Sequence, residues 1–347
     1  MPSDSDEFHE ALAEAGGALR FDRFVDLALY GRTGFYTASG RAGRRGDFLT
    51  SPEVGPLFGA VVARWLDFQW ECLDRPEPFR VIDLGAGPGT LARTVIAARP
   101  ACCEALDYVA VEVSAAQRAS HPDGVRSLAG LPDGAAPGFV IANELLDNLP
   151  FRLLVFDGAW REAYVTAQGS RFVEILEPLD GPPPVPLPAQ PPHGARVPLH
   201  DAAVSLLAQV RRRLEPGRIL LIDYAVATTA TLASRPWREW LRTYRHHERG
   251  RHYLVEPGTQ DITTEVALDQ IIAALGPCDE LRSQAQWLRR WGIDALVEEG
   301  RRVWQAQAAR PGLEAMRMRS RIGEADALLD PDGLGAFVVA EWQIGAS

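Results

Sequence analysis

The stretch Phe79–Pro100, FRVIDLGAGPGTLARTVIAARP, constrains the fold more than any other part of the chain. FRVIDLG is apolar and too short for a helix, so it reads as a buried strand. A glycine-rich turn follows, and LARTVIAA then carries a helix that Pro100 closes. Strand, glycine turn and helix in that order begin a βαβ unit, whose next strand returns parallel to the first. The rest of the chain supplies the other strands. LDYVAVEV, GFVIAN at 138–143 and RILLIDYA at 218–225 are apolar strands, and the helix DAAVSLLAQVRRRL precedes the last of them. FRLLVFD at 151–157 reads as extended, and the terminal GAFVVAEWQ as strand-like. The expected fold is α/β, a Rossmann-like and mostly parallel seven-stranded sheet with helices on both faces.

Around that core the organisation is read as follows. Residues 1–75 form a helical N-terminal segment, in which Phe21, Phe24, Val25, Ala28 and Leu29 make a one-sided apolar stripe. Glycines 31, 34, 40, 43 and 46 come next, then a helix from about Pro52 to Cys72 with Pro52 in its first turn. Residues 76–225 are the nucleotide-binding core, interrupted at 177–198 by a proline-rich surface connector. Residues 226–330 form a lid and helical substrate region, with helices expected at Val266–Leu275, Gln284–Ala309 and Leu313–Gly323. Residues 331–347 return a strand to the sheet.

With 347 residues, 46% apolar and 24% charged, the chain can fill such a core. Its net charge of −10 and lack of any basic block argue against general nucleic-acid binding. All 36 basic residues are arginine, which codon bias explains more simply than guanidinium chemistry. Cys72, Cys102, Cys103 and Cys278 have no metal or disulfide spacing, and His246–His247 stands alone, so no metal is expected. The acidic N-terminus has no apolar signal core, and no apolar run nears the ~20 residues of a membrane span. A soluble, cytoplasmic protein that does not engage membranes is expected.

The turn itself is Asp83-Leu84-Gly85-Ala86-Gly87-Pro88-Gly89-Thr90. Glycines allow close backbone approach to a ligand, and the following helix presents its N–H groups. A dinucleotide fingerprint needs glycine at 90, where this chain has Thr90, which counts against an NAD-dependent oxidoreductase. GxGxG is the form used for S-adenosyl-L-methionine. Glu112 ends the next strand, 27 residues after Gly85, where a carboxylate can accept both ribose hydroxyls. Asp83, Gly85, Ala86, Gly87, Gly89, Thr90, Glu112 and Asn143 are the candidate donor-binding residues.

Further motifs carry a family resemblance. The chain resembles the MidA-type methyltransferases, which include a mitochondrial complex I assembly factor that methylates a protein arginine. The likeness rests on Gly46-Asp47-Phe48-Leu49-Thr50-Ser51-Pro52-Glu53 with Phe58-Gly59, on Asp83–Thr90, on Ala142-Asn143-Glu144-Leu145-Leu146-Asp147-Asn148-Leu149-Pro150, and on Leu221-Ile222-Asp223-Tyr224. Gly258-Thr259-Gln260-Asp261-Ile262-Thr263 with Val266, and Gln284–Leu288 with Gly292-Ile293, extend it. The chain departs at Glu265, Ala267 and Leu268, where the family usually has a His and then an Asp-Phe pair, so a substrate-facing wall is expected to differ.

The resemblance implies S-adenosylmethionine as cofactor and a protein acceptor, by family an arginine of a respiratory complex I subunit. Asn143-Glu144 follow a core strand at its carboxyl edge, where ligands of open α/β sheets bind. Glu144 is the candidate to clamp a guanidinium and take its proton, with Glu53 and Asp47 as second carboxylates and Asn143 beside it. Asp147 either contributes or caps a short helix. Thr50 and Ser51 read as helix caps, as do Asp261 and Thr263 before a helix near Val266. The arginine–aromatic alternation from Arg235 to Arg245 suits either RNA stacking or, preferably, tryptophans packed on the body. A small-molecule acceptor and a non-catalytic, donor-binding assembly factor remain the alternatives.

Overall fold

The strand and helix flanking the glycine turn are present at Phe79–Leu84 and Thr90–Ala97. They belong to a computed structural model that describes residues 4–38, 50–134, 136–245 and 248–345. The chain divides into two units, one of residues 49–143, 213–222 and 279–347, the other of residues 1–48, 144–212 and 223–278.

The first unit holds a seven-stranded sheet in the order Glu280–Ser283, Val338–Ile344, Leu214–Asp223, Ala136–Asn143, Phe79–Leu84, Leu106–Val111, Arg126–Leu128. The strands from Leu214–Asp223 to Arg126–Leu128 pair in parallel, and Glu280–Ser283 runs antiparallel to Val338–Ile344. Val81, Val109, Ala110, Val140, Ile141, Leu220 and Ile222 are buried, as continuous apolar runs covered on both faces must be. The C-terminal strand joins this sheet as expected.

The helix expected from Pro52 to Cys72 is two helices, Ser51–Val54 and Pro56–Cys72. Pro56 disfavours helical backbone at Gly55, and its missing N–H suits the first turn of the longer helix. A side chain at 55 would meet the Glu324 carboxylate at 2.3 Å, and that carboxylate accepts the Leu57 N–H at 2.8 Å, closing the helix end. Neither expected cap acts as one. Thr50 makes no side-chain cap bond, and the Ser51 hydroxyl donates to Gln284 at 3.0 Å. The long helix expected after Gln284 also breaks, at Gly292 (φ 86°), into Gln284–Arg290 and Ile293–Gln307, the former opened by a Ser283–Gln286 capping box.

The second unit contains a five-stranded antiparallel sheet, of which only the 151–157 strand was legible in the sequence. Ala18–Arg20, Trp160–Gln168, Arg152–Phe156 and Arg196–Leu199 lie in that order, and Arg171–Pro178 pairs with Trp160–Gln168. The predicted stripe Phe21, Phe24, Val25, Ala28 and Leu29 is buried in this unit's core with Phe8, Phe151, Trp240 and Tyr253. The proline-rich connector has no helix or strand over 179–195. It is fastened down rather than free: Val185 is buried, Leu179 and Leu187 pack on Leu154 and Val197, and Trp160 Nε1 donates to the Pro188 carbonyl at 2.9 Å.

Within 226–262, Leu241–Arg245 is a strand between Glu248–Arg249 and Asp261–Thr264. Asp261 and Thr263 therefore do not cap a helix. The run Ile262-Thr263-Thr264 is β-branched and pairs with Leu241–Arg245, and the helix starts only at Leu268. Among the described residues no helix is long and apolar enough to cross a membrane. His246, His247, Asp47 and Gly40, Gly43 and Gly46 lie outside the described residues.

Candidate active site

Gly85, Gly87 and Gly89 all have left-handed backbone, with φ of 66°, 54° and 77°. Only glycine adopts this without penalty, so the alternation of glycines reflects backbone geometry. The Gly85 and Ala86 N–H groups donate to the Val111 carbonyl at 2.9 and 3.1 Å, tying the turn to the neighbouring strand. Added side chains would crowd the turn further, a Cβ at 87 lying 3.2 Å from Gln117 Oε1 and one at 89 lying 3.0 Å from Pro122.

Glu112 closes over this turn. Its Oε2 accepts the Gly87 N–H at 3.0 Å and its Oε1 the Ser114 N–H at 2.8 Å. Each oxygen is thereby fixed with acceptor capacity to spare. The helix after Ser114 is four residues long, and the Ser114 hydroxyl makes no cap bond to it. Ser114 Oγ and Gln117 Oε1 are buried and have no hydrogen-bond partner among the described residues. Such atoms are rare in folded proteins, and here they sit beside the acidic strand end and the glycine turn. His121 Nε2 lies 2.9 Å from the Gly87 carbonyl. Asp83 is buried behind the turn, and the Tyr108 hydroxyl donates to it at 3.0 Å. Burial, joined by the charge of Glu112, pushes the Asp83 carboxyl up to about 7 against the pull of the Tyr108 bond. Thr90 donates to Glu53, so these two sequence candidates come together in the first unit.

These residues fit S-adenosylmethionine. The carboxylate of Glu112 suits a ribose diol, the orphaned Ser114 and Gln117 atoms await polar partners, and the left-handed turn leaves backbone open to close approach. Tyr108, Gln117 and His121 escaped the sequence reading, because single polar residues in a strand or short helix carry no spacing signal.

The acidic candidates of the second unit gather just after two strand ends. Asn143 ends one strand, opposite Ile222. Glu144 follows with φ 51°, a conformation unusual for a residue with a side chain. Its carboxylate is buried, and the Tyr224 hydroxyl donates to it at 3.5 Å. Asp147 lies in the 3₁₀ turn Leu146–Asn148 and accepts from Thr263 at 2.6 Å and from the Asn148 amide at 2.9 Å. Asp223 accepts the N–H groups of Leu146 and Tyr224, both at 2.8 Å. Burial pushes the Asp147 carboxyl up to about 6, and burial with the Asp147 charge holds Asp223 well above the usual carboxylate range. Backbone strain at Glu144 and raised carboxyl pKa values at Asp147 and Asp223, just after or at the ends of two neighbouring strands, are marks of a functional site.

The departure at Glu265 has a structural consequence. Its carboxylate takes Arg235 at 2.6 Å and Arg242 at 2.9 Å, one acid between two guanidiniums. The Ala267 N–H donates to His200 Nε2 at 3.1 Å.

A parallel sheet with a GxGxG turn after one central strand and an acidic residue at the end of the next defines a class I methyltransferase. The chain belongs to the MidA-type family of S-adenosyl-L-methionine-dependent methyltransferases, whose model matches residues 61–285. It is 29% identical over 278 residues to the mitochondrial protein arginine methyltransferase NDUFAF7 homolog of Drosophila melanogaster, a match covering 68% of this chain and 61% of that protein. It is 24% identical over 313 residues to the human mitochondrial protein arginine methyltransferase NDUFAF7, covering 76% and 68%. Among solved structures it is similar to a protein from Burkholderia thailandensis bound to S-adenosyl-homocysteine, with a TM-score of 0.81 and 26% identity over 99% of this chain and 92% of that one.

Proposed function

We propose that this chain methylates an arginine side chain of a protein substrate. The observation that carries the proposal is Glu144, a buried carboxylate held in left-handed backbone at a strand's carboxyl end, with Asp147, Asp223 and Tyr224 around it. The names of the fly and human relatives support the same acceptor. When bound, S-adenosylmethionine supplies an electrophilic methyl group on a sulfonium centre. In the proposal Asp83, Gly85–Thr90, Glu112 and Asn143 hold it. Glu53, bonded by Thr90, steadies the glycine turn, and Asp47 stays a candidate second carboxylate. A guanidinium (pKa above ~12) has to lose a proton as its nitrogen is alkylated. Glu144 accepts two parallel N–H bonds from it, which orients the nitrogen and gives the proton a destination. The cytoplasmic setting expected from the sequence is part of the same proposal.

The test is to incubate the protein with methyl-labelled S-adenosylmethionine and an extract of its own source, then locate label by mass spectrometry. Label on arginine, lost in Glu144→Gln while S-adenosylhomocysteine still binds, is the expected result. Label confined to small molecules would replace the acceptor, and donor binding with no label anywhere would favour an assembly factor.

A further inference from the structure

The segment from Arg235 to Tyr253 builds a second feature from residues that the donor site does not use. Its rings are largely engaged within the second unit. Trp240 is fully buried, with its N–H on the Leu232 carbonyl at 3.1 Å. Tyr253 is buried, and its hydroxyl donates to Glu174 at 2.7 Å. Trp237 already carries two cations, the Arg196 and Arg238 guanidiniums, 5.0 and 4.5 Å from its ring centre. Stacking of a nucleobase, which needs a bare aromatic face, is poorly served here.

What stays exposed is charge. Trp237, Arg238, Arg242, Arg249, Arg251 and His252 line a cavity of about 270 Å³, and among the described residues no carboxylate lines it. The carboxylates nearby are mostly occupied by other guanidiniums. Glu265 takes Arg235 at 2.6 Å and Arg242 at 2.9 Å, and Glu239 lies 3.5 Å from Arg235. Glu174 takes Arg196 through two nitrogens, at 2.6 and 2.7 Å. Glu256 is shared between Arg245 at 3.2 Å and Arg251 at 3.6 Å. Glu248 precedes Arg249 on one short strand, so its side chain points to the opposite face. Arg238 and Arg249, both exposed, are left without an ion pair among the described residues.

The loop that presents Arg249, Arg251 and His252 is fixed from beneath. Buried Gln260 accepts the Arg251 N–H at 3.0 Å and donates to the His252 and Val255 carbonyls, both at 3.1 Å. The Thr243 hydroxyl donates to the Arg251 carbonyl at 2.6 Å, and the Thr243 carbonyl accepts the Gly250 N–H at 2.8 Å. A side chain at 250 would meet Gln260 Oε1 at 2.5 Å and Thr243 Oγ1 at 2.7 Å, so only glycine lets the loop pass this close. A backbone fixed in advance lowers the ordering cost of binding. Partial burial, with the charges of Arg196 and Arg238, lowers the His252 pKa against the pull of Glu174, as a locally positive field should.

We propose that this cavity binds carboxylate side chains of an acidic segment on the protein acceptor, with Arg238 and Arg249 as the principal contacts. Each guanidinium can fork onto a carboxylate with two parallel N–H bonds. The proposal rests on the reading that the acceptor is a protein, and adds to it how that protein is recognised away from the methylated residue. Arg242 also lines the smaller cavity of Asp147 and Tyr224, and the Tyr224 hydroxyl bonds Glu144, so docking and reacting groups share one strand of this unit.

The test is calorimetric titration of the full chain with acetylated hexaglutamate amide at low salt. Wild type is compared with Arg238→Gln combined with Arg249→Gln. The control is Arg289→Gln combined with Arg310→Gln, which removes the same charge from exposed positions of the first unit. Binding of S-adenosylhomocysteine to each protein verifies the fold. The peptide is expected to bind wild type and control alike, and the 238/249 variant about tenfold or more weakly, with the difference shrinking at high salt. Peptide binding that is absent in wild type, or equally weakened in both double variants, overturns the site. Inorganic phosphate or a uridine decamer that binds more tightly than hexaglutamate, and is lost in the 238/249 variant, overturns the acidic segment as its occupant. Because no methyl is transferred, these titrations separate the site from the broader reading. A 238/249 variant that labels protein arginine as well as wild type at limiting acceptor loses the docking site alone. A wild type that labels only small molecules loses the reading, and the protein acceptor as occupant with it.

Discussion

Asp83→Asn isolates what the donor site costs the fold. The Asp83 carboxyl is buried, and it titrates near 7 instead of 3.8 because burial disfavours its charge more than the Tyr108 hydrogen bond favours it. A folded-state pKa above the unfolded one means that the folded protein holds the proton more tightly between those values. Stability from this group is therefore fully present below pH 3.8 and is lost as pH rises through 7. Integrating that shift gives a penalty of roughly 2 kcal/mol at pH 5.5 and roughly 4 kcal/mol at pH 8. Asparagine is isosteric, uncharged and still accepts the Tyr108 hydroxyl, so it escapes the penalty. The variant should thus be more stable than wild type, by a margin that grows about 2 kcal/mol from pH 5.5 to pH 8. At the unfolding entropy of a chain this long, that is about 3 °C of additional Tm difference. Other titrating groups are common to both proteins and cancel in the comparison. Calorimetric scans of both proteins at the two pH values measure it. A Tm difference that is flat with pH would refute the reasoning, because it would mean that the wild-type carboxyl does not change protonation in this window. The same variant should bind S-adenosylmethionine about tenfold or more weakly, the scale of losing one charged acceptor.

Glu112→Ala removes the acceptor of two backbone N–H groups and of the proposed ribose bonds, and should weaken S-adenosylhomocysteine binding about a hundredfold by calorimetry. Gly59→Ala should lower stability by about 1–3 kcal/mol in urea unfolding despite alanine's better helix propensity, since its Cβ would lie 2.1 Å from Thr94 Oγ1 and 2.9 Å from the Thr94 backbone. His200 is buried, and burial lowers its pKa to about 4, so the unfolded chain takes up a proton below 6.5 that the folded one refuses. Stability is then lost as pH falls from 6.5 to 4. About 2–3 kcal/mol of the urea-unfolding loss between pH 7 and pH 4.5 should be missing in His200→Gln, which keeps an acceptor for the Ala267 N–H.

The parallel sheet was legible because its strands are unbroken apolar runs bounded by glycine or proline, a pattern that few other structures share. The antiparallel sheet was hidden by its partial exposure. Trp160–Gln168 and Arg171–Pro178 mix charged and apolar residues, and their burial is only partial along much of their length. Glu144 could be singled out because it follows a core strand, and Glu112 because it ends one. Asp261 and Thr263 were misread because Asp and Thr before an apolar run signal a helix cap as readily as a strand. Only the pairing with Leu241–Arg245, some twenty residues earlier, decides between them. The alternation of arginine and aromatic residues at 240–244 had the period of a strand, but its meaning depended on which carboxylates faced it.

Buried carboxylates in this chain fall into two kinds, and the division bears on which of them act. Glu341 receives Trp287, Trp65 and Arg218, at 2.9, 3.4 and 3.1 Å. Glu162 receives Arg152 through two nitrogens, at 2.5 and 2.8 Å. Each of these is paired with an arginine of its own unit, as a residue that holds structure together should be. Asp83, Asp147 and Asp223 are buried as deeply but, among the described residues, have no cationic partner, and burial raises the pKa of all three. A buried acid without a cation destabilises the fold, so its presence needs a reason outside folding. In the proposed reading a sulfonium compound would supply positive charge on the donor side, and a guanidinium on the acceptor side. Among the described residues Asp83, Asp147 and Asp223 thus have no cationic partner, which is what a reaction between a cationic methyl donor and a cationic acceptor, as proposed, would require of the protein.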